Sequence, residues 1–161
     1  NEGVLPPCLI QLTFGDDFNQ PMNERVLPST LTELTFGWNF NQPMNEGVLP
    51  PCLTELTFGA AFNQPIMQGV LPSALTQLTF GEEFNQPINE GVLPSTLTEL
   101  TFGDDFDHFL QDGVLPAGTF FVSLTCTLRN IGNQHFRCDI MLYSLSDHGS
   151  TVFIVNLSMQ V

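Results

Sequence analysis

Apolar and polar residues follow the same order five times along this chain. Each copy is 22 residues long and carries the pattern V-L-P-x-x-L-x-x-L-T-F-G-x-x-F. The copies begin at Val4, Val26, Val48, Val70 and Val92, and the last one ends at Gly113. A period of roughly 20 to 50 residues is typical of solenoids, whose repeats bury their apolar faces only by stacking on one another. The pattern therefore predicts a single solenoid over residues 1–113.

Each repeat is predicted to contain one short strand. In residues 31–36, which read L-T-E-L-T-F, the apolar residues take the first, fourth and sixth positions. This spacing resembles the strand of leucine-rich repeats, in which Leu31, Leu34 and Phe36 would point inward and the intervening residues outward. Stacked copies would then form a parallel sheet with one strand per repeat. The predicted fold class is mainly β, a leucine-rich-repeat-like solenoid.

The second half of the repeat predicts three further structural columns. A phenylalanine after each strand glycine, such as Phe40, would stack on its counterparts and bury a large apolar area. The asparagine that follows, such as Asn41, would satisfy backbone groups left open where the chain leaves the sheet. Pro43 and its counterparts would fix an extended path. Arg25 replaces the corner glycine of the other copies, so we expect that this position does not require a positive φ.

The repeat breaks down near its C-terminal end. Where other copies read F-N-Q-P, copy five reads F-D-H-F at 106–109, and residues 114–161 abandon the period after one more V-L-P. Three strand-like runs follow, at about 119–128, 136–145 and 151–159. The end of a solenoid exposes apolar side chains and open backbone groups, so residues 114–161 are predicted to form a β-rich cap or a small contact domain.

The whole motif resembles the FNIP repeat family. The residues that carry the resemblance are F-N-Q-P-I at 62–66 and 84–88, within L-P-x-x-L-x-x-L-x-F-G, and they recur with Met in place of Ile at 18–22 and 40–44. The resemblance covers residues 4–113. It implies a leucine-rich-repeat-like solenoid that serves as an interaction or structural module, and it implies no catalytic residues.

Charge narrows the possible partners. The chain has 17 Asp and Glu against three Arg and no Lys, a formal net charge of −14. The negative electrostatic field of such a chain opposes binding to nucleic acid phosphates. No apolar run reaches the roughly 18 residues of a membrane span. The expected partner is a protein or a second copy of this chain. The lack of Lys weakly favours an extracellular or particle-surface location, and the opening N-E-G, which matches repeat ends, suggests a longer precursor with at least one more repeat upstream.

Residues that could carry chemistry do not form a recognisable site. His108, His135 and His148 share no metal-ligand spacing, and no phosphate loop or nucleophile motif is present, so no catalytic, cofactor or metal residue is predicted. Cys8 and Cys52 take the same position two repeats apart, about 10 Å, too far to bridge, and are expected to be free core residues. A Cys126–Cys138 disulfide and glycosylation at the N-L-S sequon of Asn156 are left open.

Outward positions are the candidate interaction surface. The pair after each strand glycine varies most and is predicted to lie at the rim of the sheet. The candidate residues are Asp16, Asp17, Trp38, Asn39, Glu82 and Glu83 on the rim, Thr13, Thr35, Thr57, Thr79 and Thr101 in one column of the sheet, and Glu33, Glu55 and Glu99 in another. Trp38 is either an exposed interface anchor or packed on Ala60-Ala61. A regular threonine array is also typical of ice-binding solenoids, which the glutamate column argues against.

Two functions follow from this architecture. The first is a non-catalytic scaffold that binds a protein through its sheet face and variable rim. The second is a structural subunit that assembles head to tail into a filament or surface layer, because a heterologous contact that does not close into a ring propagates. Enzymatic activity is the least supported alternative, since a ladder of near-identical repeats offers no unique reaction centre.

Overall fold

The structure is a computed structural model of the 161-residue chain. It describes residues 5–108, 110–111, 113–116 and 119, together with the backbone of the strands at 121–124, 129–130, 135–146 and 149–160. Within these ranges the chain forms strands and turns and contains no helix.

Six short strands form one parallel sheet in chain order. They are β1 (Gln11–Thr13), β2 (Glu33–Thr35), β3 (Glu55–Thr57), β4 (Gln77–Thr79), β5 (Glu99–Phe102) and β6 (Phe121–Leu124). Each residue pairs with the residue 22 positions later, as Leu34 pairs with Leu56 and Leu56 with Leu78. The predicted solenoid, with one short parallel strand per repeat, is confirmed.

A second sheet follows the solenoid. It contains β7 (Arg129–Asn130), β8 (His135–Ser146) and β9 (Gly149–Gln160), which pair antiparallel in that order. These strands overlap two of the three strand-like runs predicted in the tail, and the remaining run overlaps β6, which joins the parallel sheet. The boundary at residue 113 and the role of the tail as a cap stay predictions. Cys126 lies outside the described residues, as does the side chain of Cys138.

The predicted leucine and phenylalanine columns form the core. In β2 to β5 the central leucine is at most 1% exposed, while the residues on either side are exposed or half-buried. Leu31, Leu53, Leu75 and Leu97 form a second column that is equally buried. The short strand therefore buries one face only, which is the physical reason for its apolar, polar alternation.

The phenylalanines form a continuous stack through the solenoid. Within each repeat the two rings lie nearly parallel with centroids 3.8–4.1 Å apart. Between repeats the centroids are 5.4–5.7 Å apart in the column of Phe36 and 6.0–6.1 Å apart in the column of Phe40. Offset stacking at these distances adds about 0.5–1.5 kcal/mol per pair beyond the buried area. The predicted role of these rings as a structural spine is confirmed.

The asparagine column links each repeat to the next through side-chain hydrogen bonds. The side-chain Oδ1 of Asn41 accepts the backbone N–H of Asn63 at 3.0 Å and the side-chain amide of Gln64 at 2.9 Å. The same pair of bonds links the preceding and following repeats. At the end of the array the N–H of Asp107 still donates to Asn85, while His108 replaces the glutamine and contacts the Asn85 carbonyl at 3.2 Å. The predicted role of asparagine is confirmed.

The corner before each V-L-P adopts a left-handed backbone. Gly47, Gly69, Gly91 and Gly113 have φ of 78° to 87°, and Arg25 has φ of 63° at the equivalent position. The expectation that this corner does not require a positive φ is therefore wrong. Arg25 tolerates a conformation that disfavours a side chain by about 1–2 kcal/mol, because the neighbouring repeats impose the turn.

Cys8 and Cys52 are free, as expected, but they are exposed, and their prediction as core residues is wrong. Their column also contains Thr30, whose hydroxyl donates to the carbonyls of Pro7 and Leu9 at 2.9 and 2.8 Å. The position lies on the turn that leads into the strand. Its side chain points to backbone and solvent rather than into the leucine columns.

The strand glycines set how closely the repeats approach. A Cβ built on Gly37, Gly59, Gly81 or Gly103 would overlap the carbonyl group of the glycine one repeat earlier. Only a residue without a side chain fits there, and the contact atoms are backbone that cannot move aside. Gly15, in the first copy, has no atom within 4 Å of such a Cβ.

We expect Gly59→Ala to destabilise the solenoid by at least about 1–3 kcal/mol, because the added methyl must push two repeats apart. Urea unfolding followed by circular dichroism measures this loss. Gly15→Ala is the matched control, with an expected change within about 0.5 kcal/mol. Equal effects of the two substitutions would contradict the close-approach explanation.

We expect Arg25→Gly to stabilise the chain by roughly 0.5–1 kcal/mol. Relief of the left-handed strain, about 1–2 kcal/mol, is partly offset by the greater unfolded-state entropy of glycine. Thermal unfolding gives the shift. Gly91→Ala is the reciprocal control, since its Cβ would meet only the end of the Gln68 side chain at 3.4 Å, and we expect it to lower stability. A loss of stability in Arg25→Gly would show that Arg25 makes compensating contacts.

Candidate functional site

The outer face of the sheet carries the predicted columns in register. One column consists of Gln11, Glu33, Glu55, Gln77 and Glu99, and the other of Thr13, Thr35, Thr57, Thr79 and Thr101. Both columns point away from the leucine core and are exposed or half-buried. The structure thus brings the predicted sheet residues together on one face, with β-sheet spacing of about 4.8 Å between neighbours.

A second threonine column, just before the strands, has a structural role that the sequence pattern did not predict. The hydroxyls of Thr54, Thr76 and Thr98 each donate to the backbone carbonyl of the residue one repeat earlier at 3.1 Å. Thr32 makes the same bond to Ile10 at 3.3 Å. Because these hydroxyls donate to the backbone, this column is a weaker candidate for recognition than the column of Thr57.

The rim pairs are held in register by their own backbone ladder. The N–H of Asn39 donates to the Asp16 carbonyl, and the N–H of Ala61 donates to the Trp38 carbonyl, both at 2.9 Å. Glu83 and Asp105 continue the ladder at the same distance. Five variable pairs therefore project from one regular backbone, so their side chains differ from repeat to repeat while their spacing does not.

Trp38 stands out on this rim, because 57% of its surface is exposed. Its backbone N–H donates to Oδ1 of Asp16 at 3.2 Å, and Asn39 contacts Oδ1 of Asp17 through its side-chain amide at 3.5 Å. Ala60 and Ala61 follow in the next repeat and are half-buried. The exposure fits an interface anchor, and that role stays a prediction.

Two exposed apolar residues are not among the candidates predicted from the sequence. Ile10 is 61% exposed at the position of Thr32, and Met67 is 64% exposed where other copies have Asn45 or Asn89. Both depart from the residue type of their column. Comparison of the copies position by position could have found them, because an apolar residue in an outward column has no core to enter.

Two kinds of feature are absent from the part of the chain that the structure describes. No group of three or more His, Cys, Asp or Glu there is arranged to hold a metal ion. A search of the same residues finds no helix of the length and hydropathy that a bilayer span requires.

We expect Glu55→Gln to stabilise the chain slightly, by roughly 0.2–1 kcal/mol, because Glu55 lies directly opposite Glu33 and like charges in paired positions repel. The gain should shrink as salt rises from 20 mM to 1 M. Glu99→Gln is the matched control, since Glu99 pairs with Gln77 and Phe121. Thermal unfolding at several salt concentrations tests the difference, and an equal gain in both variants would contradict it.

The comparisons with known proteins agree with this architecture. Models of the FNIP Repeat match residues 1–39, 19–61, 40–83, 62–105 and 84–126. A solved structure, that of CroV588, described as a novel circular LRR protein, shares 54% sequence identity and superposes with a TM-score of 0.75. The match covers 76% of this chain and 18% of CroV588. Among curated proteins, none matches the sequence. With the family models covering residues 1–126, this chain belongs to the FNIP repeat family.

Proposed function

We propose that this chain is a non-catalytic scaffold that binds another protein through its sheet face and its variable rim. The observation that carries the proposal is the rim ladder, in which a constant backbone presents side-chain pairs that differ between neighbouring repeats. Constant spacing with variable side chains is what a recognition surface requires, and extended solenoid surfaces commonly serve in this way.

The nature of the surface favours contact over chemistry. On the sheet face the exposed groups are carboxylates, amides and threonines, and they recur along columns. General acid, base or nucleophilic catalysis needs different groups within hydrogen-bond reach of one reacting atom. A periodic column supplies neighbours of the same kind instead.

The test is a partner whose binding depends on these residues. The 161-residue chain would be cross-linked in extracts of its source, and each recovered protein would be purified and titrated calorimetrically against the chain. We expect the double variant Glu55→Arg with Gln77→Arg, both exposed on the sheet face, to weaken binding about tenfold or more, as losses at interface hot spots do.

The control for that titration is Glu46→Arg with Asn89→Arg, which likewise replaces one carboxylate and one amide by arginine, at exposed corner residues away from the sheet face. We expect its affinity to equal that of the unmodified chain. If neither the sheet-face double variant nor the rim substitution Trp38→Ala binds more weakly than the corner variant, or if no recovered protein binds once purified, the scaffold proposal is wrong.

Head-to-tail self-association is a second proposal, and the resemblance to CroV588 favours it because that protein is described as circular. A solenoid that turns by a constant angle per repeat can meet its own end or the end of another copy. Light scattering after size exclusion, with electron microscopy, would show a mass that rises with concentration. Salt should promote association by screening the net charge of −14. A monodisperse monomer at every concentration and salt level would contradict this second proposal.

A further inference from the structure

The acidic rim contains one uncharged interval. Carboxylate pairs occupy the first, fourth and fifth repeats, at 16–17, 82–83 and 104–105. Between them lie Trp38, Asn39, Ala60 and Ala61, which we call the rim gap. The gap spans two adjacent repeats joined by the hydrogen bond from Ala61 to Trp38. An exposed indole beside two methyl groups thus lies between two negatively charged sections of one surface.

The backbone of the rim gap is held by hydrogen bonds within the chain itself. The backbone of Trp38 is held on both sides, through its N–H to Asp16 at 3.2 Å and through its carbonyl to Ala61 at 2.9 Å. Its side chain nevertheless remains 57% exposed. Tryptophan is enriched among residues that dominate binding energy, and an anchor on an ordered backbone loses little conformational entropy on association.

We propose that the rim gap binds an extended segment of a basic partner protein, whose apolar side chain packs on Trp38 and Ala60 while flanking Lys or Arg side chains pair with the rim carboxylates. This inference rests on the proposed scaffold function and names the chemistry of the partner. Complementarity of charge supports it, because the net charge of −14 attracts basic partners and orients them on approach.

The spacing of the rim predicts the sequence pattern of that segment. Rim repeats joined by 2.9 Å hydrogen bonds lie about 4.8 Å apart, so the centre of the gap is roughly 7 Å from the carboxylates on either side. Two residues of an extended chain span about 6.6 Å and bring side chains i and i+2 to the same face. The predicted pattern is therefore basic-x-apolar-x-basic. A further basic residue, four positions after the apolar one, would reach Asp105.

Other classes of occupant fit the rim less well. An apolar partner would cover the flanking carboxylates without pairing them, which carries a desolvation penalty. Nucleic acid would bring phosphates against the same negative charges. An acidic protein would be repelled for the same reason. Only a partner with both an apolar side chain and basic neighbours satisfies the indole and the carboxylates together.

The chain provides its own probe, because Trp38 is its one tryptophan. We would titrate the 161-residue chain at 50 mM salt with the acetylated, amidated peptide GKSLSKSKG and follow Trp38 fluorescence. Two matched peptides replace Leu by Ser or every Lys by Glu. We expect saturable binding of GKSLSKSKG, about tenfold tighter than either matched peptide, and weaker binding at 300 mM salt.

Ala60→Glu separates the gap from simple charge attraction. It adds a carboxylate, so attraction alone predicts tighter binding of the basic peptide, whereas occupation of the gap by the Glu side chain predicts weaker binding. Met67→Ser, which removes another exposed apolar residue away from the rim, is the control and should leave the affinity unchanged. Calorimetry with Trp38→Ala, which lacks the fluorophore, should show a similar loss.

Equal affinity for the Leu and Ser peptides, or binding that is unchanged or tighter in Ala60→Glu, would overturn the proposal. Binding of the protein partner from the scaffold test to these variants distinguishes failure of the rim gap proposal from failure of the scaffold proposal. If its binding survives Trp38→Ala and Ala60→Glu but is lost in the sheet-face double variant, the rim gap proposal is wrong and the scaffold stands. If neither set of variants changes its affinity, both proposals are wrong.

Discussion

The close approach of one repeat to the next is the constraint on which the rest of this structure depends. At the strand glycines the backbones come so near that a single Cβ would overlap a carbonyl group. That approach allows hydrogen bonds between repeats in the sheet, at the rim and through the asparagine side chains. Each repeat is therefore hydrogen-bonded to its neighbour at three places, namely the sheet, the rim and the asparagine column. A residue that changes the spacing between repeats at one of these places strains the hydrogen bonds at the other two.

This constraint explains why the copies are so similar at some positions and so different at others. Leucines and phenylalanines must have similar volumes in every copy, because the rings stack on their counterparts in the neighbouring repeats and the leucines pair in register within the same core. The rim backbone is equally constrained, since each pair donates to the preceding one, but its side chains extend into solvent. At the rim the backbone ladder is the same whichever side chains are present, and this makes the rim the place where one repeat can acquire a role that the others lack.

The sequence predicted most of the fold because the 22-residue period carries the register directly. Once Leu34 is assigned inward, Leu12, Leu56, Leu78 and Leu100 follow from position alone. Periodicity does not say where a position outside the strand points. Cys8 and Cys52 were wrongly placed in the core for this reason, since small apolar residues suit a core and a turn alike. The sign of φ at Arg25 was also missed, because the turn between repeats fixes it and an arginine there gives no local indication of it.

The candidate site was less predictable than the core, and the reason is the same symmetry. In a perfectly regular stack every outward residue has identical neighbours, so no residue is a better binding site than another. A site arises where a departure in one column coincides with a departure in the neighbouring repeat. Trp38 alone would be an exposed indole, and Ala60 with Ala61 alone would be a small interruption of the charge. They lie next to each other because the rim ladder pairs the repeat of Trp38 with the repeat of Ala60 and Ala61, and the acidic pairs lie on either side. The binding specificity that we propose for this surface is thus a property of adjacent repeats rather than of one residue.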